Sequence, residues 1–162
     1  MGVEAMGKIE TLGLAVAMAG IVGAQSADCP AEEVQIQSAK AIIGMSRAEF
    51  DAWCLDHGAH AEAAQRWSDE QKSTCAWVDR KSGEVWHAAI HFHSASGQAH
   101  QADIGLLGAS SDTVLRLIHN EHGGSDGRSV EGFPVWEVDV ENQAALLEVA
   151  DYEEITLVQL KL

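Results

Sequence analysis

The sequence predicts an α+β fold built from two tandem units, each a helix followed by an antiparallel meander. Helix starts are indicated at Ser46 and Ser111, 65 positions apart, and each is followed by about three runs in which apolar and polar residues alternate. Because one unit alone would leave a sheet face poorly covered, we expect the sheets to join or pack side by side, with the helices on one face. A single unrepeated sheet with two helices is the alternative.

The first helix is predicted within residues 44–59, GMSRAEFDAWCLDHGA. Ser46 is the expected N-cap, Glu49 completes a capping box three residues later, and Gly58 is the expected stop. The polar segment that follows, residues 60–73, is expected to be a helical extension or a loop. The residues spaced to share one helix face are Phe50, Trp53, Cys54 and His57.

Two meanders are predicted from short alternating runs. TCAWVD, VWHAAIHFH and HQADIGLL are separated by the turns RKSGE and SASGQ, and they make up the first meander. A second helix, in residues 110–124, precedes PVWEVDV, AALLEV and EEITLVQLKL, which make up the second. In the middle strand of the first meander, Trp86, Ile90 and Phe92 alternate with the histidines, so the histidines are expected to face away from the core.

The N-terminus resembles a secretory signal. Residues 12–24 form a thirteen-residue apolar run followed by small residues. We therefore expect residues 1–26 to be a signal peptide, residues 27–109 the first unit and residues 110–162 the second. Glu4 and Glu10 offset Lys8, which is unusual before a signal, and a buried N-terminal helix is the alternative. The mature chain is expected to be periplasmic or secreted, with no integral membrane segment.

The chain is strongly acidic, with 10 Lys and Arg against 25 Asp and Glu, a formal charge of −15. This charge repels phosphate backbones, so nucleic-acid binding is not expected. It favours a basic partner or serves solubility alone.

Three cysteines are present: Cys29, Cys54 and Cys75. In an oxidising compartment two of them are expected to pair, and Cys54 with Cys75 is favoured because it ties a helix to the following strand. Zinc ligation is the competing interpretation, although no CxxC pair occurs. The role of Cys29 is left open.

Four histidines form a candidate metal site: His87, His91, His93 and His100. The first three share one parity of a strand, and a neighbouring strand could place His100 beside them, as zinc or copper sites require. Residues two apart on a strand are about 7 Å apart, so solvent-facing strand histidines are the competing interpretation. The main prediction is therefore no cofactor.

No catalytic motif is recognised in the sequence. GGSDGRSVEG follows a helix instead of a strand, so it does not match a phosphate-binding loop, and HNEH is not the HExxH motif. Cys54 with His57 could be imagined as a dyad, but a cysteine between Trp53 and Leu55 is better explained by the core or a disulfide. We expect a protein that is not an enzyme.

Tryptophans are the candidate protein-binding residues: Trp67, Trp77 and Trp136. An exposed tryptophan is a common anchor for a protein partner, whereas packing under the helices is the alternative for Trp77 and Trp136. Trp67 lies in a polar segment and is the stronger interface candidate.

The first unit carries Gly44-Met45-Ser46-Arg47 before a helix that contains Phe50, Trp53 and Cys54, and Cys75 lies in the strand that follows. Over residues 34–107 this pattern resembles the tandem repeats of β-lactamase inhibitory proteins and of SmpA/OmlA-type envelope assembly lipoproteins. The resemblance implies an extracytoplasmic protein without catalytic residues whose sheet face or loops bind another protein.

Two functions are thus expected from the sequence. The first is an extracytoplasmic, non-catalytic protein-binding module of inhibitor, immunity or envelope-assembly type. The alternative is a periplasmic metal-binding protein that uses the histidine-rich strand face.

Overall fold

The computed structural model describes residues 29–58, 61–93 and 97–162. Residues 31–162 group into one unit. The predicted signal peptide, residues 1–26, lies outside the described residues. The predicted division of the rest into residues 27–109 and 110–162 stays a prediction.

The described residues form three helices and an eight-stranded antiparallel sheet, which confirms the predicted α+β class. The helices are α1 (Ala31–Ile42), α2 (Arg47–Gly58) and α3 (Ser111–His122). The strands are β1 (Ala61–Ser68), β2 (Lys72–Asp79), β3 (Val85–Phe92), β4 (Ala99–Leu107), β5 (Gly127–Arg128), β6 (Pro134–Val140), β7 (Gln143–Tyr152) and β8 (Ile155–Lys161).

Serine side chains cap both helices that the sequence predicted, at Ser46 as predicted and at Ser110, one residue before the predicted start at Ser111. The Ser46 amide donates to Glu49 Oε2 at 2.7 Å and the Glu49 amide donates to Ser46 Oγ at 3.3 Å, which is the predicted capping box. The backbone hydrogen bond from Ser46 is the main reason that the pKa of Glu49 is lowered. At α3, the side chain of Ser110 accepts a hydrogen bond from the Thr113 amide at 3.2 Å.

Arg47, which follows the capping serine, ties the start of α2 to three strands. Its guanidinium donates to the hydroxyls of Ser68 and Ser73, the latter at 2.7 Å, and to the carbonyl of Glu70 at 3.2 Å. The same group lies over the ring of Phe92, 4.4 Å from its centroid. Arg47 thus connects α2 with β1, β2, β3 and the turn between β1 and β2.

The expectation of a helical extension or loop for residues 60–73 is wrong, because this segment contains β1. Its strand residues pair with β2, with Arg66 opposite Cys75 and Trp67 opposite Thr74. Arg66 also forms a 2.7 Å ion pair with Asp51 of α2. A polar composition suits a strand at the edge of a sheet, where pairing with one neighbour decides the conformation in place of local propensity.

The apolar segment before Gly44 forms α1, a helix beyond the two that the sequence predicted. Its buried residues follow a helical spacing, and the helix packs against β4 and β8. Acidic side chains in its first turn and Lys40 in its last turn suit the helix dipole. The buried residues of α1 are Gln35, Ile36, Ala39 and Ile42.

The strands follow the order β1-β2-β3-β4-β8-β7-β6-β5 in one sheet. The first meander covers β2, β3 and β4, as the sequence predicts, and β6, β7 and β8 form the second. The two meanders meet where β4 pairs with β8, from Gln101 opposite Lys161 to Leu107 opposite Ile155. Eight strands therefore share one continuous hydrogen-bond network.

One set of alternate strand residues forms the hydrophobic core together with apolar residues of all three helices. Cross-strand partners place Cys75 opposite Ala88, Ile104 opposite Val158, and Leu147 opposite Leu160, so that the buried positions of neighbouring strands coincide. The helix residues in this cluster include Ile36, Phe50, Val114 and Ile118.

Cys54 of α2 and Cys75 of β2 lie at disulfide distance, as predicted, with their Cα atoms 6.2 Å apart. Both are buried, and they connect helix and strand beside a cluster of aromatic rings. Trp77 stacks on Trp86 in this cluster with ring centroids 6.0 Å apart. Cys29 is exposed.

Gln35 of α1 bridges the two strands at the junction of the meanders. Its side-chain nitrogen donates to the carbonyl of Ile104 on β4 at 2.7 Å and to the carbonyl of Thr156 on β8 at 2.6 Å. Gln35 is fully buried. A polar side chain in this position fixes the register of α1 on the β4–β8 pair, because its two donors need both carbonyls.

Replacing Gln35 is therefore expected to weaken the junction. We expect Gln35→Met, which keeps the volume but loses both hydrogen bonds, to lower the free energy of unfolding by about 2 kcal/mol. Gln35→Ala adds a cavity and should cost about 3–4 kcal/mol. Urea denaturation measures both. Gln37 is exposed on the same helix, so Gln37→Met is the control; equal effects at both positions would contradict the bridging role.

Removing the Cys54–Cys75 link is expected to destabilise the fold through the unfolded chain. The cysteines are 21 positions apart, and closing such a loop stabilises by about 3 kcal/mol in the chain-entropy model. The double variant Cys54→Ala with Cys75→Ala should lose this amount in urea denaturation, whereas Cys29→Ser should not. A reducing agent should lower the stability of the wild type and leave that of the double variant unchanged.

Candidate binding surface

The strand residues that alternate with the core positions form the other face of the sheet, called the second face from here on. Every second residue of seven strands belongs to it. The even positions are 72–78 of β2 and 146–152 of β7. The odd positions are 65 and 67 of β1, 85–91 of β3, 101–107 of β4, 155–161 of β8 and 135–139 of β6. Several large apolar side chains on it are exposed, which is unusual for a sheet face and typical of an interaction surface.

An apolar row crosses five strands along one side of the second face. Val78 pairs with Val85, and Leu107 pairs with Ile155, which pairs in turn with Tyr152. Val85 and Leu107 are neighbours on β3 and β4, because each is the residue next to the paired residues Trp86 and Leu106. They connect the first pair of the row with the others. The row spans about 19 Å at the usual strand spacing. Its exposed members are Val85, Leu107 (45 % exposed) and Tyr152 (48 % exposed).

Small residues form the middle of the second face, next to the apolar row. Ala89 and Ala150 are fully buried. Gly105 lies under the side chains of Ile155 and Leu157, since a Cβ at Gly105 would approach Ile155 Cδ1 to 2.7 Å. The small residues therefore let neighbouring side chains pack closely over the centre of the second face.

Asp103 lies in this centre and is only 6 % exposed. His91 Nε2 is 2.9 Å from Asp103 Oδ2. The other oxygen, Oδ1, accepts hydrogen bonds from Gln101 at 2.9 Å and from Gln159 at 3.2 Å. Three side chains from β3, β4 and β8 thus compensate the cost of burying this carboxylate.

Glu148 is a second buried carboxylate on the same face. It pairs across strands with Gln159, which pairs with Asp103, so the two acids lie in one row on β7 and β4 with β8 between them. Lys161 Nζ is 3.5 Å from Glu148 Oε2. Glu148 is 3 % exposed, and its Oε1 has no hydrogen-bond partner among the described residues. This oxygen is an acceptor whose burial is not compensated within the described chain.

His87 occupies the centre as well, between Ala76 and Gly105 in register. Burial lowers its pKa because the charged ring loses hydration, and repulsion by Lys72 adds to this effect while Asp103 opposes it. The surroundings of His87 thus favour the neutral form of its ring.

The structure separates the three predicted tryptophans. Trp67 is 56 % exposed and lies on the second face, opposite Thr74. Trp77 and Trp136 are buried members of the core cluster, and the indole nitrogen of Trp136 donates to the carbonyl of Gly123 at 3.0 Å. Their rings are covered, so they are not exposed anchors for a partner in this structure. Packing under the helices is the alternative that the sequence left open for both.

The four predicted metal-binding histidines are divided between different contacts. His91 bonds to Asp103, His87 lies in the centre of the second face, and the rings of His93 and His100 lie 4.2 Å apart at the end of the β3–β4 hairpin. In residues 29–58, 61–93 and 97–162, no three or more His, Cys, Asp or Glu side chains could hold one metal ion together. The sequence suggested one site of four histidines, whereas in the structure His91 contacts Asp103 and His93 contacts His100.

Asp103 and Glu148 are the residues of this surface that sequence reasoning missed. Each sits in a predicted strand at a position of the outward parity, which was the available signal. Their proximity depends on β8 lying between β4 and β7, and no local pattern encodes that neighbour relation.

Comparison of the chain with protein-family models, with curated proteins and with solved structures found no match. None of the helices in the described residues is long and apolar enough to span a membrane. The function is therefore argued from the surface itself.

The lowered pKa of His87 predicts a pH dependence of stability. Below its ordinary pKa of about 6.5, the unfolded chain binds a proton at this histidine that the folded chain does not yet bind. The contribution of the neutral His87 to the free energy of unfolding is therefore fully present above that pH. It decreases as the pH falls towards the pKa of His87 in the folded chain. The free energy of unfolding should drop less between pH 7.5 and pH 5 in His87→Gln than in the wild type. Equal slopes in urea titrations at these pH values would contradict the assignment.

Proposed function

We propose that the protein is an extracytoplasmic, non-catalytic protein-binding module of inhibitor, immunity or envelope-assembly type, and that its partner binds the second face. The observation that carries the proposal is the exposed apolar row beside two buried carboxylates. Exposed apolar side chains around a polar, partly unsatisfied centre are what a protein interface covers on binding.

The size of the second face suits a protein partner. Seven strands, β1 to β4 and β8 to β6, span about 29 Å, and seven residues of a strand span about 24 Å. The resulting area is close to the roughly 800 Å² that each partner contributes to a standard interface. Trp67 at one side and Tyr152 at the other are aromatic side chains of the kind that anchor such contacts.

The charge of the surface favours a basic partner. The second face carries Asp103, Glu137, Asp139 and Glu148 against Lys72 and Lys161, and the whole chain has a formal charge of −15. Opposite charge on the partner would speed association and supply a donor for Glu148 Oε1.

The extracytoplasmic location is supported by the apolar run of residues 12–24 and by the disulfide distance between Cys54 and Cys75. Disulfides persist in oxidising compartments and are rare in the cytosol. The resemblance to the inhibitory and envelope-assembly repeats agrees with this location. Periplasmic or secreted residence is part of the proposal.

Two tandem helix-plus-meander units remain our interpretation of the architecture, with the helices on one face. The order of a helix before four strands occurs twice along the chain, as α2 before β1 to β4 and as α3 before β5 to β8, and the capped start at Ser46 has a counterpart at Ser110. Under this interpretation the β4–β8 pair is the joint between units, and the second face is left available to the partner.

Site-specific crosslinking tests the proposal. A photoreactive benzoylphenylalanine placed at Leu107 or at Tyr152 should crosslink one defined protein in cells that secrete the chain. Leu55 on α2 and Val130 before β6 are exposed outside the second face, so the same probe there should not crosslink that protein. Equal crosslinking at all four positions, or none at the first two, would contradict binding through the second face.

Once that partner is isolated, a charge introduced into the apolar row should strongly weaken binding. Leu107→Asp places a charge in the middle of the exposed row, and we expect at least a hundredfold loss of affinity, or about 3 kcal/mol. Val130→Asp is the matched control. Trp67→Ala should weaken binding by about tenfold or more if it acts as an anchor. Surface plasmon resonance measures all three, with circular dichroism to confirm folding.

A further inference from the structure

A β-bulge brings His93 and His100 together at the end of the β3–β4 hairpin. His91 pairs with Gln101 and the next residue, Phe92, pairs with Ala99, so His100 is an extra residue on β4. Bulges re-aim a side chain relative to the regular alternation of a strand. Here the His100 ring lies 4.2 Å from the His93 ring, centroid to centroid.

The backbone holds both histidines in place. The His93 amide donates to the carbonyl of Gln98 at 3.1 Å, and the His93 carbonyl accepts from the Gly97 amide at 3.0 Å. The His100 carbonyl accepts from the Leu162 amide at 2.8 Å. These hydrogen bonds fix the backbone at both histidines, which lowers the cost of ordering a ligand pair.

One of the two rings is exposed, and the other carries a nitrogen that has no partner among the described residues. His93 is exposed. The Nδ1 atom of His100 is buried and has no hydrogen-bond partner among the described residues. A histidine nitrogen without a hydrogen-bond partner can act as a metal ligand through its lone pair.

We propose that His93 and His100 together bind one divalent transition-metal ion, with copper(II) bound more tightly than zinc. Neutral imidazole is a preferred ligand of both ions, and affinity at a given nitrogen site increases from zinc to copper. Two protein ligands leave the remaining positions to water, which matches a site at an exposed hairpin end. The site is independent of partner binding by the second face.

Of the four histidines in the sequence pattern, His93 and His100 belong to the proposed site and the other two do not. His91 Nε2 already contacts Asp103 at 2.9 Å, and His87 is half-buried in the centre of the second face. His87 therefore provides a matched control: it lies on β3, the strand that ends just before His93, but outside the proposed site.

Calorimetric titration of the full chain with copper(II) chloride and with zinc chloride tests the site. A Cys29→Ser background removes the exposed thiol, which would also bind or reduce copper. We expect 1:1 binding of copper(II) in the micromolar range, weaker zinc binding, and a loss of at least about tenfold in His93→Ala and in His100→Gln. His87→Ala should retain the wild-type affinity.

Electron paramagnetic resonance of the copper-loaded chain adds a readout that does not depend on affinity. Two coordinated imidazole nitrogens are expected in the wild type and one in His93→Ala, an exposed substitution that should leave the fold intact. The proposal is overturned if His93→Ala binds copper as tightly as the wild type, if His87→Ala loses as much affinity as His93→Ala, or if the spectrum shows no imidazole ligand.

Discussion

The pairing of β4 with β8 is the constraint on which the rest of the structure depends. It joins strands that lie about fifty residues apart in the chain and converts two local meanders into one sheet. Gln35 strengthens the joint, because a single amide nitrogen donates to a carbonyl on each of the two strands. The helix α1 is thereby positioned over the place where the meanders meet.

The register of the β4–β8 pair determines which residues lie on each face of the sheet. A strand slipped by one residue exchanges its two faces, so a fixed register across β4 and β8 keeps the buried positions of both meanders on one side. On the second face the same register aligns Leu107 with Ile155 and places Asp103 and Glu148 in one row. The candidate surface is thus a property of the joined sheet, and neither meander carries it alone.

The second face also carries groups that lower the stability of the fold. Apolar side chains such as Leu107 and Tyr152 remain in water, and two carboxylates are buried at the centre of a sheet face. Asp103 is compensated by His91 and two glutamines, whereas Glu148 has an oxygen without a partner in the described chain. Exposed apolar side chains and buried carboxylates that share one surface lower the stability of the fold, and such groups are typical of functional sites. The proposed binding function gives these groups their missing contacts.

The sequence by itself determined the parts that depend on local patterns: the capping box at Ser46, the alternation of both meanders, the α+β class, and a cysteine pair between helix and strand. It did not predict α1, or β1 in a polar segment, because pairing at a sheet edge and packing on β4 and β8 decide those conformations. It also suggested one metal site from four histidines. Only the tertiary structure placed β8 between β4 and β7 and inserted the bulge at His100, since strand order and register arise from long-range contacts that leave no periodic signal in the chain.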